Sequence, residues 1–281
     1  MKFCVIVPIY NEGKFLLTFL NSIISQTILL DKVICVDDNS TDNSAEIVKE
    51  FSKRFSFIQY LFHKSGDYKV QGKKVINAFN FGLNTIDLNE FDTITKMDAD
   101  LELPVDYFEK IFTAFQMDNK IGVAGGRILE FKDGVWSSTV QADYHIRGAL
   151  KTYRVSCFKE IGGLQPVLGW DGLDEMNAMY LGWKTRIIDS DVKHFRPASS
   201  DYNKFDMAFK IGYANYANGS NISLTLIRFL TKSFRFKSFS YGFYFLKGYF
   251  TSYYSKSPKN VDNGLAKFIN NFHLKRIFKL K

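Results

Sequence analysis

The sequence predicts an α/β protein, built on a mostly parallel central sheet with helices on both faces and followed by a basic helical region. Strand-length apolar runs alternate with segments of helical periodicity over roughly the first 200 residues. Several of these runs end in acids or amides, at the sheet edge where open α/β folds place their ligands. Charge then changes sign. Residues 204–281 hold 14 Lys and Arg against 2 Asp and Glu, a balance of +12, whereas residues 1–203 hold 23 against 27, a balance of −4. The expected division is therefore a mildly acidic body over 1–203 and a basic, Phe- and Tyr-rich region over 204–281.

The elements follow in order. Phe3-Cys4-Val5-Ile6-Val7-Pro8-Ile9 is almost wholly apolar and reads as a buried strand. Tyr10-Asn11-Glu12-Gly13 is a turn, and Phe15, Leu16, Phe19, Leu20 and Ile23 then recur at helical spacing. Val33–Asp37 is a second strand, and Asp38-Asn39-Ser40-Thr41-Asp42 is turn and cap material before a helix through Ala45, Ile47, Val48 and Phe51. Phe57–Leu61 is a third strand, Val75–Leu83 a helix and Thr93–Met97 a fourth strand. Beyond Pro104, Tyr107, Phe108, Ile111, Phe112 and Phe115 mark a helix, and Ile121–Gly126 is a strand. A glycine-rich stretch reads as loop, Asp171–Leu181 as helix and Thr185–Ile188 as strand.

The composition is that of a globular chain. Its 281 residues are 46% hydrophobic and 23% charged, enough for a substantial core. Cys4, Cys35 and Cys157 are odd in number and lack paired spacing, which excludes a disulfide framework or a cysteine zinc site and fits a reducing compartment. Met1–Ile9 is not read as a secretory leader, because Pro8 and Asn11 interrupt it, and no window of 18 apolar residues is present.

The chemistry is concentrated at Lys96-Met97-Asp98-Ala99-Asp100. Two carboxylates one residue apart share a face if the strand stays extended. A hard divalent cation carrying phosphates takes one or two such carboxylates. Asp37-Asp38 and Tyr10-Asn11-Glu12 stand at the ends of neighbouring strands, where acids accept hydrogen bonds from a base or ribose. So many acids at one edge repel unless a cation joins them. The first strand is followed by neither GxGxxG nor a Walker A loop, which excludes a dinucleotide dehydrogenase and a P-loop NTPase.

Val5-Ile6-Val7-Pro8-Ile9-Tyr10-Asn11-Glu12, Val33–Asp42 and Lys96–Asp100, in this order and spacing, resemble family 2 glycosyltransferases of the GT-A fold. The resemblance covers roughly the first 200 residues. It implies a nucleotide-sugar donor, UDP- or GDP-linked, an Mg²⁺ or Mn²⁺ cofactor and inversion at the anomeric carbon. Position by position, it implies that Pro8, Tyr10 and Glu12 line the nucleoside pocket, that Asp38 contacts the base with Asp37 supporting the turn, that Asp98 contacts ribose or sugar, and that Asp100 binds the metal. Ala78-Phe79-Asn80-Phe81-Gly82 resembles the family's Ala-x-Asn-x-Gly helix, and Lys73 and Lys74 before it are donor contacts or a solvated helix start. Val192–Pro197 resembles a late His-x-Arg-Pro segment, with His194 a further metal or diphosphate contact.

Displacement of a diphosphate needs a carboxylate to take the acceptor's proton. The family usually carries it in a Glu-Asp pair on a helix closed by Gly. Here Trp170 replaces the Glu, and counting back from Gly182 sets Asp171 on the base position. Asp174, one turn later, ranks second and Glu175 third; the competing role for all three is capping and dipole compensation.

Arg228-Phe229, Phe234-Arg235-Phe236-Lys237 and Tyr244–Lys247 interleave rings with cations, which suits a helix lying on an anionic membrane. Core packing and an oligomer interface compete with this, and nucleic acid ranks last. The sequence thus predicts an inverting, metal-dependent glycosyltransferase acting on a lipid-linked or saccharide acceptor in bacterial surface polysaccharide synthesis, cytoplasmic and peripheral to the inner membrane face. The alternative is a non-catalytic sugar-nucleotide- or membrane-binding module on the same fold.

Overall fold

Phe3–Ile9 forms β1 in the computed structural model, and the apolar run of that segment is buried on both faces. The structure describes residues 1–65, 72–132, 134–138, 141–196 and 203–278. The chain divides into two units, Met1–Pro166 with Leu181–Ala198, and Val167–Tyr180 with Ser199–Lys281.

In the first unit β1 pairs in parallel with β2 (Lys32–Asp37) on one side and β4 (Thr93–Met97) on the other, and β2 pairs in parallel with β3 (Ile58–Phe62). The connections run through α1 (Leu16–Ile24), α2 (Ser44–Arg54) and α3 (Lys73–Leu83). Beyond β4 come β5 (Leu101–Glu102), α4 (Tyr107–Met117), β6 (Ile121–Lys132), β7 (Val135–Ser138), β8 (Leu150–Arg154), α5 (Val155–Glu160) and β9 (Lys184–His194). Among the described residues one sheet results, in the order β3-β2-β1-β4-β8-β6-β9-β5, with β7 added to β6. The β3-β2-β1-β4 half is parallel; β8 runs antiparallel to β4 and to β6, and β9 returns parallel to β6.

The parallel half is as the apolar runs predict. The second half holds more regular structure than the glycine-rich sequence suggests. β6 continues to Lys132, and β7, β8 and α5 lie in the stretch read as loop. β9 extends to His194 rather than stopping at Ile188. The reason is local. Gly125 and Gly126 look like a strand end, yet a Cβ on either would sit 2.5 Å from a carbonyl oxygen of a neighbouring strand, that of Leu150 or of Ser190. They are glycines because strands approach closely there. In β9, Asp189 and Asp191 face outward and pair with Arg127 at 2.7 Å, so charge hides the strand pattern.

The Ala78–Gly82 motif has an architectural explanation. A Cβ at Gly82 would meet Val36 at 2.8 Å and Ile6 at 2.9 Å, so the glycine lets α3 lie close on β1 and β2. Ala78 is buried, and Asn80 donates to the Leu164 carbonyl at 3.3 Å. The three cysteines are free and buried.

The second unit contains α6 (Trp170–Tyr180), α7 (Lys204–Ala217), α8 (Ile222–Arg235), α9 (Phe239–Tyr254) and α10 (Asn263–Ile277). Asn203, Asn221, Ser238 and Asp262 cap α7 to α10 with side-chain acceptors, which explains where each helix begins. Ala208, Tyr241 and Phe245 form its core with Ile211, Phe229 and Leu246. Part of the aromatic content therefore serves packing. Among the described residues no helix is long and apolar enough to cross a membrane.

α7 and α9 cross at glycines. A Cβ on Gly212 would overlap the Phe245 carbonyl, and one on Gly248 the Phe209 carbonyl. Helix propensity alone favours Gly248→Ala by about 1 kcal/mol. Overlap with a backbone oxygen reverses that sign, so this substitution is expected to destabilise the fold by about 1–3 kcal/mol, measured by denaturant unfolding. A stabilised variant would refute the close crossing.

Candidate active site

The turns after β1 and β2 are tied to each other. Asn11 donates its amide to Ser40 Oγ at 3.0 Å, and its own side chain accepts from the Thr41 amide at 2.8 Å. Glu12 donates its amide to Ser44 Oγ at 2.9 Å and Gly13 to Asp42 at 2.9 Å. Asn11 and Asn39 adopt positive φ, 55° and 63°, which Asn tolerates better than most residues. Pro8 is half-buried on β1, and Tyr10 is exposed at the rim.

Asp37 is committed to this turn. Its carboxylate accepts from the Ser40 amide and from the Tyr60 hydroxyl, both at 2.9 Å. Asp38 faces residues beyond β3. It accepts from the Ser65 amide at 3.2 Å and hydroxyl at 3.0 Å, and its Oδ1 lies 2.9 Å from His63 Nδ1. Three of about four acceptor positions on this carboxylate are thus engaged. His63, Ser65 and Tyr60 did not emerge from the sequence. The signal existed, since His63 follows β3 as the acids follow β1, β2 and β4.

The acid pair lies at the end of β4. The extended strand stops at Met97, and Asp98–Asp100 form a turn. Convergence of the two carboxylates therefore comes from the turn and not from strand alternation. Ligand atoms of Asp98, Asp100 and His194 lie within 4.8 Å of one another. β5 pairs with β9 so that Leu101 faces His194 in register, and the Phe195 amide donates to the Asp100 carbonyl at 3.0 Å. These bonds bring a residue 94 positions later in the chain to the acid turn.

Cations of the chain already meet these acids. Asp100 Oδ1 is 3.3 Å from His194 Nε2, and Oδ2 accepts from Arg196 Nε at 3.1 Å. The same guanidinium pairs with Glu12. The buried Lys96 ammonium pairs with Asp98 and donates to the Gly148 carbonyl at 2.9 Å. The clustered acids are thus partly neutralised from within. Two buried atoms, Glu12 Oε2 and His194 Nδ1, have no hydrogen-bond partner among the described residues.

Burial pushes the Glu12 carboxyl up to about 7, with Asp100 and Asp98 acting in the same direction and Arg196 against it. Burial also opposes charge on Asp100 and His194. Burial is the largest single influence on each, but their mutual hydrogen bond and attraction, joined by Arg196 at Asp100 and by Asp98 at His194, together outweigh it, holding the Asp100 carboxyl below the usual range and raising the imidazole.

Lys73 and Lys74 open α3 directly after Gly72, whose φ is 76°, and both are half-buried. Pro197 lies outside the described residues. Asp171 and Asp174 belong to the other unit, on α6. Asp171 is half-buried in its first turn, whereas Asp174 and Glu175 are buried, with the Glu175 amide donating to Asp174 at 2.7 Å. The shared face expected for Asp171 and Asp174 is thus one of unequal exposure.

The fold is that of a GT-A-like α/β protein. The sequence model of the family described as Glycosyl transferase family 2 matches residues 4–166, more than half of the chain, and the chain belongs to that family. It is 35% identical over 124 residues to Glycosyltransferase GlyA of Streptococcus pneumoniae, spanning 43% of this chain and 16% of the relative. It is 24% identical over 204 residues to the Poly-beta-1,6-N-acetyl-D-glucosamine synthase of Staphylococcus epidermidis, spanning 66% of this chain and 46% of the relative. Among solved structures, the mannosyltransferase PcManGT from Pyrobaculum calidifontis, in complex with GDP-Man and Mn²⁺, superposes with a TM-score of 0.58 at 14% identity, over 98% of this chain and 80% of that one. The chain spans less than half the length of these curated relatives.

A raised Glu12 has a thermodynamic consequence. Its folded-state value near 7 lies above the ordinary value of 4.5, so the native state binds the proton more tightly. Stability from this group is fully present below about pH 4.5 and is lost as pH rises toward and through 7. Glu12→Gln is expected to melt like the parent near pH 4 and to be more stable by up to about 3 kcal/mol near pH 8. Melting curves across this range that stay parallel for the two proteins would contradict the assignment.

Proposed function

We propose that this chain transfers a sugar, with inversion, from a nucleoside-diphosphate sugar to an acceptor hydroxyl, aided by a divalent cation. One observation carries the reading: two carboxylates and an imidazole converge within 4.8 Å at the strand edge of a family 2 fold. The donor set fits the cation. Carboxylates suit Mg²⁺ and Mn²⁺, and an imidazole favours the transition metal of the two. His194 Nδ1, buried and unpartnered, leaves a ligating nitrogen available to such an ion. Asp98, Asp100 and His194 are the residues that would hold it. When bound, the cation supplies neutralisation of a departing diphosphate.

The remaining roles belong to the chain. Asp38 keeps an acceptor position for a base N–H, and Asp37 holds the turn that presents it. Pro8 and Tyr10 flank the nucleoside, and Glu12 sits between it and the cation ligands. Lys73 and Lys74 combine two charges with a helix N-terminus, a suitable pairing for a diphosphate. Asp171, the more accessible acid of α6, is the general base, and Asp174 is the second candidate. Trp170, which stands where the family usually carries Glu, is buried. Packing accounts for it, so nothing here favours a non-catalytic module.

UDP- and GDP-linked donors are both compatible with this reading. The similarity to a polysaccharide synthase supports an acceptor that is a growing or lipid-linked saccharide. The balance of +12 over 204–281 supports work at an anionic inner membrane face.

Two substitutions test this. Asp100→Ala is expected to abolish both Mn²⁺-dependent thermal stabilisation and transfer from a panel of nucleotide sugars. Full turnover in that variant would remove the metal role. Asp171→Asn is expected to bind donor with unchanged affinity by calorimetry and to lose at least about a hundredfold in transfer rate. Weakened donor binding with normal turnover would assign Asp171 to the donor pocket instead.

A further inference from the structure

Helix α8 exposes an apolar stripe opposite a mixed inner face. The side it turns into its own unit carries Leu224, Thr225 and Ser233, all buried, Phe229, which packs on the core, and Arg228, whose guanidinium donates to Ser220 Oγ at 2.9 Å and pairs with Asn215. Lys232 is also half-buried there, its ammonium 5.5 Å from the centre of the Phe245 ring. The side it turns to solvent carries Ile222, Leu226, Leu230 and Phe234, which are 41, 45, 48 and 70% exposed. These four recur every fourth residue and so form one stripe along the helix. A helix in water normally turns its polar face outward.

The stripe continues onto α9. Phe239 lies 6.2 Å from Phe234 and Phe243 lies 5.6 Å from Phe229, ring centre to ring centre, and both α9 rings are about 60% exposed. Arg235, Lys237 and Lys247 are exposed on the same two-helix hairpin. Between residues 207 and 261 the sequence contains no Asp or Glu. An apolar stripe with basic side chains and no acid matches the boundary between headgroups and acyl chains of an anionic bilayer. It matches a second copy poorly, because facing copies would juxtapose cations. It matches nucleic acid poorly, because Ile222, Leu226 and Leu230 would face a polar, charged backbone with no apolar partner, even though Phe234, Phe239 and Phe243 offer stacking planes.

We propose that the outer face of α8, with Phe239 and Phe243 of α9, is a membrane-docking surface that inserts into an anionic bilayer, with Arg235, Lys237 and Lys247 engaging the headgroups. This names the surface behind the membrane location proposed above and is independent of donor and metal chemistry.

The test is sedimentation of the full chain with phosphatidylcholine vesicles containing about a third phosphatidylglycerol, without donor or metal, beside vesicles of phosphatidylcholine alone. Binding is expected to the anionic vesicles, weaker by about tenfold or more on the neutral ones. Leu230→Glu combined with Phe234→Glu, and separately Lys237→Glu combined with Lys247→Glu, are each expected to lower binding about tenfold or more. Because these residues are exposed, melting temperatures should stay unchanged, and transfer to a water-soluble acceptor should stay unchanged as well. Leu29→Glu, an exposed apolar position of the other unit, should bind as the parent does. Undiminished binding by both double variants overturns the proposal. So does a chain that ignores vesicles and forms a dimer that Leu230→Glu with Phe234→Glu dissociates.

Discussion

Asp100 is the constraint on which the site depends. Its carbonyl receives the Phe195 amide, and its two carboxylate oxygens meet His194 and Arg196. One residue thereby fastens the end of β9 to the turn after β4. Through Arg196 it also reaches Glu12, which follows β1. Three strand ends distant in sequence are brought to one charged cluster. Asp100 and His194 are both buried, so their contact is shielded from water, whereas Arg196 is about half-exposed.

The acids at this edge divide into two kinds. Asp37 and Asp38 have hydrogen-bond donors from the fold itself, so their charge is compensated without any ion. Asp98, Asp100 and Glu12 share only Lys96, His194 and Arg196 among the described residues, and Glu12 keeps one oxygen unpartnered. Glu12 Oε2 and His194 Nδ1 are the buried polar atoms of this cluster that no described residue satisfies. The Glu12 carboxyl is raised first by burial, with the neighbouring Asp100 and Asp98 adding to it.

Much of this was readable from residues alone, and the boundary is physical. The parallel half of the sheet was legible because strands buried on both faces are continuous apolar runs ending in turn residues. The acid pair was legible because its chemistry is local, although the geometry that makes it converge is a turn rather than an extended strand. The second half was less so. β9 alternates charged and buried residues, and the glycines of β6 serve close strand contact, so neither announces itself as a strand. The partners of Asp38 were missed because His63 and Ser65 acquire meaning only once β3 is placed beside β2. The exposed apolar stripe of α8 was hidden too, since sequence shows that a helix has two faces and not which one meets solvent.

The central claim is that Asp98, Asp100 and His194 hold a divalent cation together. Its most direct test is the anomalous-difference map from a crystal grown with Mn²⁺ and a nucleoside diphosphate. The account predicts one strong peak among these three side chains, at roughly 2.0–2.4 Å from an Asp100 oxygen and a His194 nitrogen, with Arg196 released from at least one Asp100 oxygen. An Mn²⁺ ion bound elsewhere, with the Asp100–Arg196 pair intact, would contradict it.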